Sequence, residues 1–280
     1  MIIDCHTHVN NYQDEAAQAL PTCVEQLQLA LRRNRVDQAL ILTSYKVSPA
    51  RPSAREVVAA TAHLPHLHVV AGISWTTFSP ADVAELRRLL EAKAIKGLKL
   101  YPGYEPFYPA DPKLTPAYEL AEEFAVPVMI HTGDTYAPTG KVKFAHPLHV
   151  DEVAVDFPRV KFLICHLGNP WFRDCMEVVY KNNNVYTDIS GLTLGNFTDR
   201  FEAYMRQQLK EMLVWGVNPS KVLYGTDWPL ATMESYLQLM DELKFPAADK
   251  DMMLFENAAA LFKLEVTPRV TGLASLFRRI

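Results

Sequence analysis

Two histidines one residue apart, His6 and His8, follow an apolar run at the start of the chain, Met1-Ile2-Ile3-Asp4-Cys5. In a β-strand successive side chains point to opposite faces, so Asp4, His6 and His8 are expected on one side and Ile3, Cys5 and Thr7 on the other. Two residues of strand rise separate the backbones of His6 and His8 by roughly 6–7 Å, a span that two imidazoles can close on one metal ion. The plain alternative is two histidines at a wet strand end, with Asp4 bonded to neighbouring backbone. The metal reading gains weight from further ligand-type residues downstream, because His131, His166, Asp188 and Asp227 each end a β-rich run.

The elements that must position these residues follow from periodicity. Short β-rich runs at residues 37–44, 68–74, 94–101, 127–133, 161–168, 185–191 and 222–229 follow the first strand. They alternate with helical patterns near 21–35 and 53–64, one begun by Pro80 and Asp82, and others near 115–124, 149–157, 171–181, 198–215 and 233–243, with a last helix near 250–262. Serine opens the second helix and prolines open others, both ordinary helix-start signals. Eight strand-then-helix units within about 250 residues is the count and size of a (β/α)8 barrel, an α/β fold of the TIM type. An open doubly wound sheet would usually carry a glycine-rich first turn, and here the first turn reads His-Thr-His. One domain over residues 1–280 is expected, with 266–280 as a C-terminal extension beyond the last helix.

In such a barrel the active site forms at the C-terminal ends of the strands. Four of the nine histidines fall at these ends, together with Lys99, Asp188 and Asp227. His63, His66 and His68 lie at the opposite end, and His146 and His149 border the fifth helix, where surface or capping roles suffice. Tyr101, Tyr104, Phe107, Tyr108, Tyr136, Trp171, Phe172 and Trp228 follow the strands as rim packing or as pocket walls; Tyr101, Trp171 and Trp228 are the candidates for substrate contact. Lys46, Arg51, Arg55, Lys141, Lys143 and Arg173 are cations able to hold a substrate carboxylate.

Composition narrows the classes. A net charge of -4 gives no general reason to bind nucleic acid or anionic membrane. No apolar run approaches transmembrane length, and a strand beginning at residue 2 leaves no room for a leader, so a cytoplasmic protein is expected. The four cysteines, at 5, 23, 165 and 175, lack paired metal-ligand spacing and read as reduced thiols. A small-molecule substrate is expected, and a homo-oligomer is left open.

Asp4-Cys5-His6-Thr7-His8, His131-Thr132-Gly133, His166-Leu167-Gly168 and Gly225-Thr226-Asp227-Trp228-Pro229, in that order, resemble the amidohydrolase superfamily. The closest similarity is to the branch that includes aminocarboxymuconate-semialdehyde decarboxylase, and it extends to Asn257-Ala258-Ala259-Ala260-Leu261-Phe262. The resemblance implies that His6, His8, His131 and Asp227 bind a divalent metal, most often zinc. It also implies that His166 stands beside the metal's water as base or polariser. Neutral imidazoles and a carboxylate suit zinc, and an open coordination position lowers the pKa of a bound water to about 7. Asp227 would pass a proton to the leaving group, while Asp4 and Asp188 would orient ligands from behind. In two-metal relatives a carboxylated lysine ends the fourth strand, so Lys99 is either that bridge or a lysine paired with a buried carboxylate. One metal per chain is the expectation, two if Lys99 is carboxylated.

The leading expectation is a metal-dependent hydrolase of a small ester, lactone or amide. The alternative is a non-oxidative decarboxylase of a small unsaturated or aromatic acid, which uses the same residues. A metal-dependent deoxyribonuclease and a binding protein with a structural metal rank below both.

Overall fold

The computed structural model describes residues 1–10 and 18–266. The expected extension at 266–280 therefore lies outside the described residues, apart from Val266. Eight parallel strands run in sequence order: β1 Ile3–Thr7, β2 Gln38–Leu42, β3 Leu67–Gly72, β4 Gly97–Leu100, β5 Val128–Ile130, β6 Phe162–Ile164, β7 Val185–Asp188 and β8 Val222–Leu223. The segment following β8 closes the barrel against β1, with Cys5 N donating to Tyr224 O at 3.0 Å and Asp227 N to His6 O at 2.8 Å. The main outer helices are α1 Leu20–Asn34, α2 Ala54–Thr61, α3 Pro80–Glu91, α4 Thr115–Glu123, α5 Leu148–Asp156, α6 Phe172–Lys181, α7 Asp199–Trp215 and α8 Met233–Glu242. Reciprocal capping boxes fix two starts: Ser53 with Glu56 at α2, and Ser79 with Asp82 at α3, where Pro80 needs no amide partner.

Alternate strand residues sort into two cores. Ala39, Ile41, Val69, Leu98, Val128, Phe162 and Val185 pack with the helices, whereas Ile3, Cys5, Leu40, Leu42, Val70, Met129, Leu163 and Leu223 fill the barrel. The N-terminal floor is plugged by the end of the described chain, α9 Ala247–Asp251 running through a π-helical turn into α10 Asn257–Phe262. Ala258, Leu261, Phe262 and Leu264 pack on the inner core from below. Asn257 anchors the plug, its amide donating to Val222 O at 2.7 Å and Pro219 O at 2.8 Å.

The alternation expected along β1 breaks once. Asp4 pairs with Ala39 and Thr7 with Ile41, so three steps on β1 match two on β2, a β-bulge. Asp4 and Thr7 share the outward phase of their partners, and Cys5 and His6, adjacent in sequence, both turn into the barrel. Asp4 thus faces away from His6 and His8 rather than alongside them. β6 and β8 fall furthest short of the apolar runs. β6 stops at Ile164 because His166, Leu167 and Gly168 all take left-handed backbone, with φ of 65°, 52° and 65°. β8 stops at Leu223, ahead of Asp227, itself left-handed at φ 68°.

Candidate metal centre and active site

His6, His8 and Asp227 are buried and offer ligand atoms within 4.8 Å of one another. Their hydrogen bonds fix which atoms are available. His8 Nδ1 lies 2.7 Å from Leu42 O, and a carbonyl only accepts, so Nδ1 carries the proton and Nε2 presents its lone pair. That Nε2 faces Asp227 Oδ1 at 3.0 Å. His6 Nδ1 donates to Asp188 Oδ2 at 2.9 Å, which turns its Nε2 to the same Asp227 oxygen at 3.7 Å. Two imidazole lone pairs and one carboxylate oxygen thus converge, and a positive charge must lie among them, either an extra proton or a metal ion. The donor set fits a divalent metal: nitrogen and oxygen ligands, each histidine bonded to an acceptor at its other ring nitrogen.

The electrostatics agree with ligand states. Burial, with the nearby Lys99 charge, lowers the His6 pKa to about 4. Burial, then His166 and Lys99, hold His131 well below its usual value, and burial also lowers His166. Burial alone would raise Asp227 and Asp188. Instead the His8 hydrogen bond and the His6 ring hold Asp227 well below the usual carboxylate range, and His6 does the same for Asp188.

A second set of contacts holds these groups in place. Ser190 Oγ donates to Asp188 Oδ1 at 2.5 Å and lies 2.9 Å from Nδ1 of both His6 and His166. His166 N donates to Asp188 Oδ1 at 2.9 Å, and His166 Nδ1 to Ser190 O at 3.1 Å, leaving His166 Nε2 as the unprotonated nitrogen. Gly191, at φ 61°, leaves the room this ring needs, since a Cβ there would stand 2.4 Å from His166 Nδ1. Asp4 accepts from Thr226 Oγ1 at 2.6 Å and from the backbone N–H groups of Thr226 and His6 at 3.1 Å each. It ties the segment carrying Asp227 to β1 and touches His6 only through backbone. Its own burial pushes its pKa up to about 7 against those bonds.

His131 follows β5 with its ring 5.1 Å from that of His166 and 4.7 Å from Tyr104. Its Nε2 donates to Asp134 O at 3.1 Å, so Nδ1 is the atom left for a metal. Lys99 is 1% exposed and donates to Cys165 Sγ at 2.7 Å, with its ammonium 5.3 Å from the Tyr101 ring. Among the described residues it pairs with no carboxylate, contrary to the ion pair the sequence suggests. Tyr101 donates to Thr43 O at 2.6 Å and lines the same cavity. The two tryptophans depart from expectation. Trp171 packs on His146 at 4.7 Å, and Trp228 is partly buried in the groove between α1 and α8 beside Ala30, Met233 and Leu237; neither belongs to the cavity walls described below.

The cavity over these groups has two compartments, of about 100 and about 340 Å³, which share Tyr104, His131, Tyr136, His166, Asp227 and Leu230. Sequence reading missed Ser190 and Cys165. Ser190 stands two residues beyond Asp188, a strand step that keeps it on the same face, and Cys165 precedes His166, which the left-handed backbone brings to the same side.

A family model for amidohydrolases matches residues 3–264. No curated protein matches the sequence. Among solved structures, an uncharacterised TIM-barrel protein of Bordetella bronchiseptica is 20% identical over 94% of this chain and 98% of its own, with a TM-score of 0.72. A putative 2-pyrone-4,6-dicarboxylic acid hydrolase of Pseudomonas putida is 19% identical, covering 95% of this chain and 98% of its own, with a TM-score of 0.69. A dihydroxybenzoic acid decarboxylase of Polaromonas, with bound manganese and the inhibitor 2-nitroresorcinol, is 14% identical over 95% and 98%, with a TM-score of 0.67. Those three likenesses show the barrel; the match over nearly the whole sequence shows that the chain belongs to the amidohydrolase family.

Proposed function

We propose that this chain is a metal-dependent hydrolase of a small ester, lactone or amide. The observation that carries the reading is the convergence of the Nε2 atoms of His6 and His8 on Asp227 Oδ1, at 3.7 and 3.0 Å, in the wall of the cavity. His6, His8 and Asp227, joined by His131, would hold one divalent ion, zinc first by its preference for nitrogen and oxygen donors. Such an ion supplies an electrophile for a carbonyl oxygen and a lowered pKa for water. The lysine in contact with a thiol supports a single ion rather than a carboxylate-bridged pair.

The remaining roles belong to the chain. His166, its Nδ1 proton committed to Ser190 O, offers Nε2 to the cavity as a proton acceptor from water. Asp227, ionised and left-handed in the wall shared by both compartments, takes up that proton from His166 and passes it to the leaving group. Asp188 holds the His6 ring and the His166 backbone together, so ligand and base move as one unit.

A second reading, non-oxidative decarboxylation, is supported by the manganese-containing decarboxylase with the same fold. There His166, after taking a proton from water at Nε2, would deliver it to carbon before carbon dioxide leaves. Elemental analysis of the purified protein, beside His6→Ala, is the test. About one zinc or manganese per chain, lost in the variant, is expected, followed on a panel of lactones, esters and aromatic acids by products that gain the elements of water. Release of carbon dioxide would favour the second reading, and metal-independent turnover would overturn both.

A further inference from the structure

The two compartments differ in chemistry. The smaller is walled by Lys99, Arg51, Ser44 and Tyr101. The larger adds Leu192, Leu194 and Phe201 to the shared residues. Reactive groups stand at the junction, since His131, His166 and Asp227 belong to both.

Lys99 is the unusual wall. Its ammonium is 1% exposed and has three N–H donors, of which one reaches a sulfur, a weak acceptor. Cys165 is a buried free cysteine, and a thiol is a weak acceptor that stands where a carboxylate would supply the counter-charge. The nearest carboxylates are engaged elsewhere: Asp188 by His6, Ser190 and the His166 amide, Asp227 by His8. A buried cation without an anion is costly, and the compartment it faces is where an anion can reach it. Arg51 lines the same space, its Nη1 donating to Ser44 Oγ at 3.3 Å. At about 100 Å³ this space accepts a carboxylate and little more. The larger compartment is mixed, with Asp134, Asn169 and Thr193 in its lining, but Leu194, 59% exposed, and Phe201, 37% exposed, give it apolar rim surface that a ligand would cover.

We propose that the substrate is an elongated monocarboxylate: Lys99 holds its carboxylate in the small compartment, and an aryl or alkyl tail lies against Leu192, Leu194 and Phe201. The bond to be broken then spans the junction beneath His166 and Asp227. This rests on the barrel mouth being the catalytic site, and holds for hydrolysis and decarboxylation alike.

The test is equilibrium binding, which needs no turnover. Titration calorimetry on the metal-loaded protein compares 4-phenylbutyrate with the neutral 4-phenylbutyramide and with tailless butyrate. The acid is expected to bind at least tenfold more tightly than either. Lys99→Met removes the preference of acid over amide, and the rim pair Leu194→Ser with Phe201→Ser brings 4-phenylbutyrate down to the affinity of butyrate. Equal binding of acid and amide by the native chain overturns the proposal, and that comparison stands even if Lys99→Met fails to fold. An acid preference that survives Lys99→Met but disappears with a chelator also overturns it, by assigning the carboxylate to the metal. Absence of turnover on matching esters bears only on the hydrolytic reading.

Discussion

The two ends of one barrel are built from the same strands and do opposite things. Along β5, inward Met129 gives way to His131; along β6, Leu163 to Cys165; along β7, Tyr186 to Asp188. Two residues, roughly 6–7 Å of strand, separate an apolar floor from a mouth crowded with charge. The floor closes on Phe262 and Leu264 and asks for no partner. The mouth buries Lys99, Asp188, Asp227 and four histidines, whose desolvation is offset by one another and by hydrogen bonds such as those to Leu42 O, Asp134 O and Ser190. A single residue shows which property marks chemistry. His68, at the floor end, has its pKa lowered to about 4 by burial and then by Lys96, yet its Nε2 meets only the Gln38 side chain at 2.7 Å. A lowered pKa is therefore common to both ends, and convergence of several such groups belongs to the mouth.

That contrast can be broken at either end. The largest effect is expected from Asp227→Asn, which removes the shared oxygen facing His6 and His8: kcat should fall by about 10³-fold or more, with Tm measured in chelator changed little. Comparable loss of metal-free stability would mean that the mouth also holds the fold together. Next comes Phe262→Ala at the floor, where a buried ring leaves a cavity; unfolding stability should drop by about 3–5 kcal/mol in denaturant titration while kcat per folded molecule holds. A matching loss in kcat would show the two ends to be coupled.

The smallest effect is a pH slope. His68 has a lower pKa folded than unfolded, so between about 6.5 and 4 the unfolded chain binds a proton that the folded chain refuses. Stability is lost as pH falls through that window, and His68→Gln, measured in chelator, should flatten the fall in Tm by about 5 °C. An unchanged slope would assign the window to the mouth histidines alone.

Much of this was legible in the chain. Eight β-rich runs and eight helical patterns give the barrel because amphipathic periodicity is local. His6, His8, His131, His166 and Asp227 are identified at strand ends because the architecture fixes where such ends meet. What escaped depends on backbone geometry that side-chain pattern does not carry. Strict alternation cannot foresee the bulge that turns Asp4 outward and His6 inward. Nor does an aromatic in a loop declare its direction: Trp171 and Trp228 pack on the outer structure, while Tyr101 and Tyr104 line the cavity. Lys99 reads as an ion-pair partner by type, and only the fold shows a thiol in front of it.

The bulge in β1 also constrains how this sequence can change. Strict alternation continued from Ile3 and Cys5 would aim His6 and His8 at the helices, so the extra residue is what brings both rings into the barrel mouth. That residue needs space, and Gly225 leaves it: a Cβ there would stand 3.0 Å from His6 Cβ and 3.2 Å from Cys5 Sγ. Position 225 and the length of β1 are thus epistatic. Substituting the glycine is harmful while the bulge persists, and deleting Cys5 would straighten the strand, keep both histidines inward and release position 225 to vary.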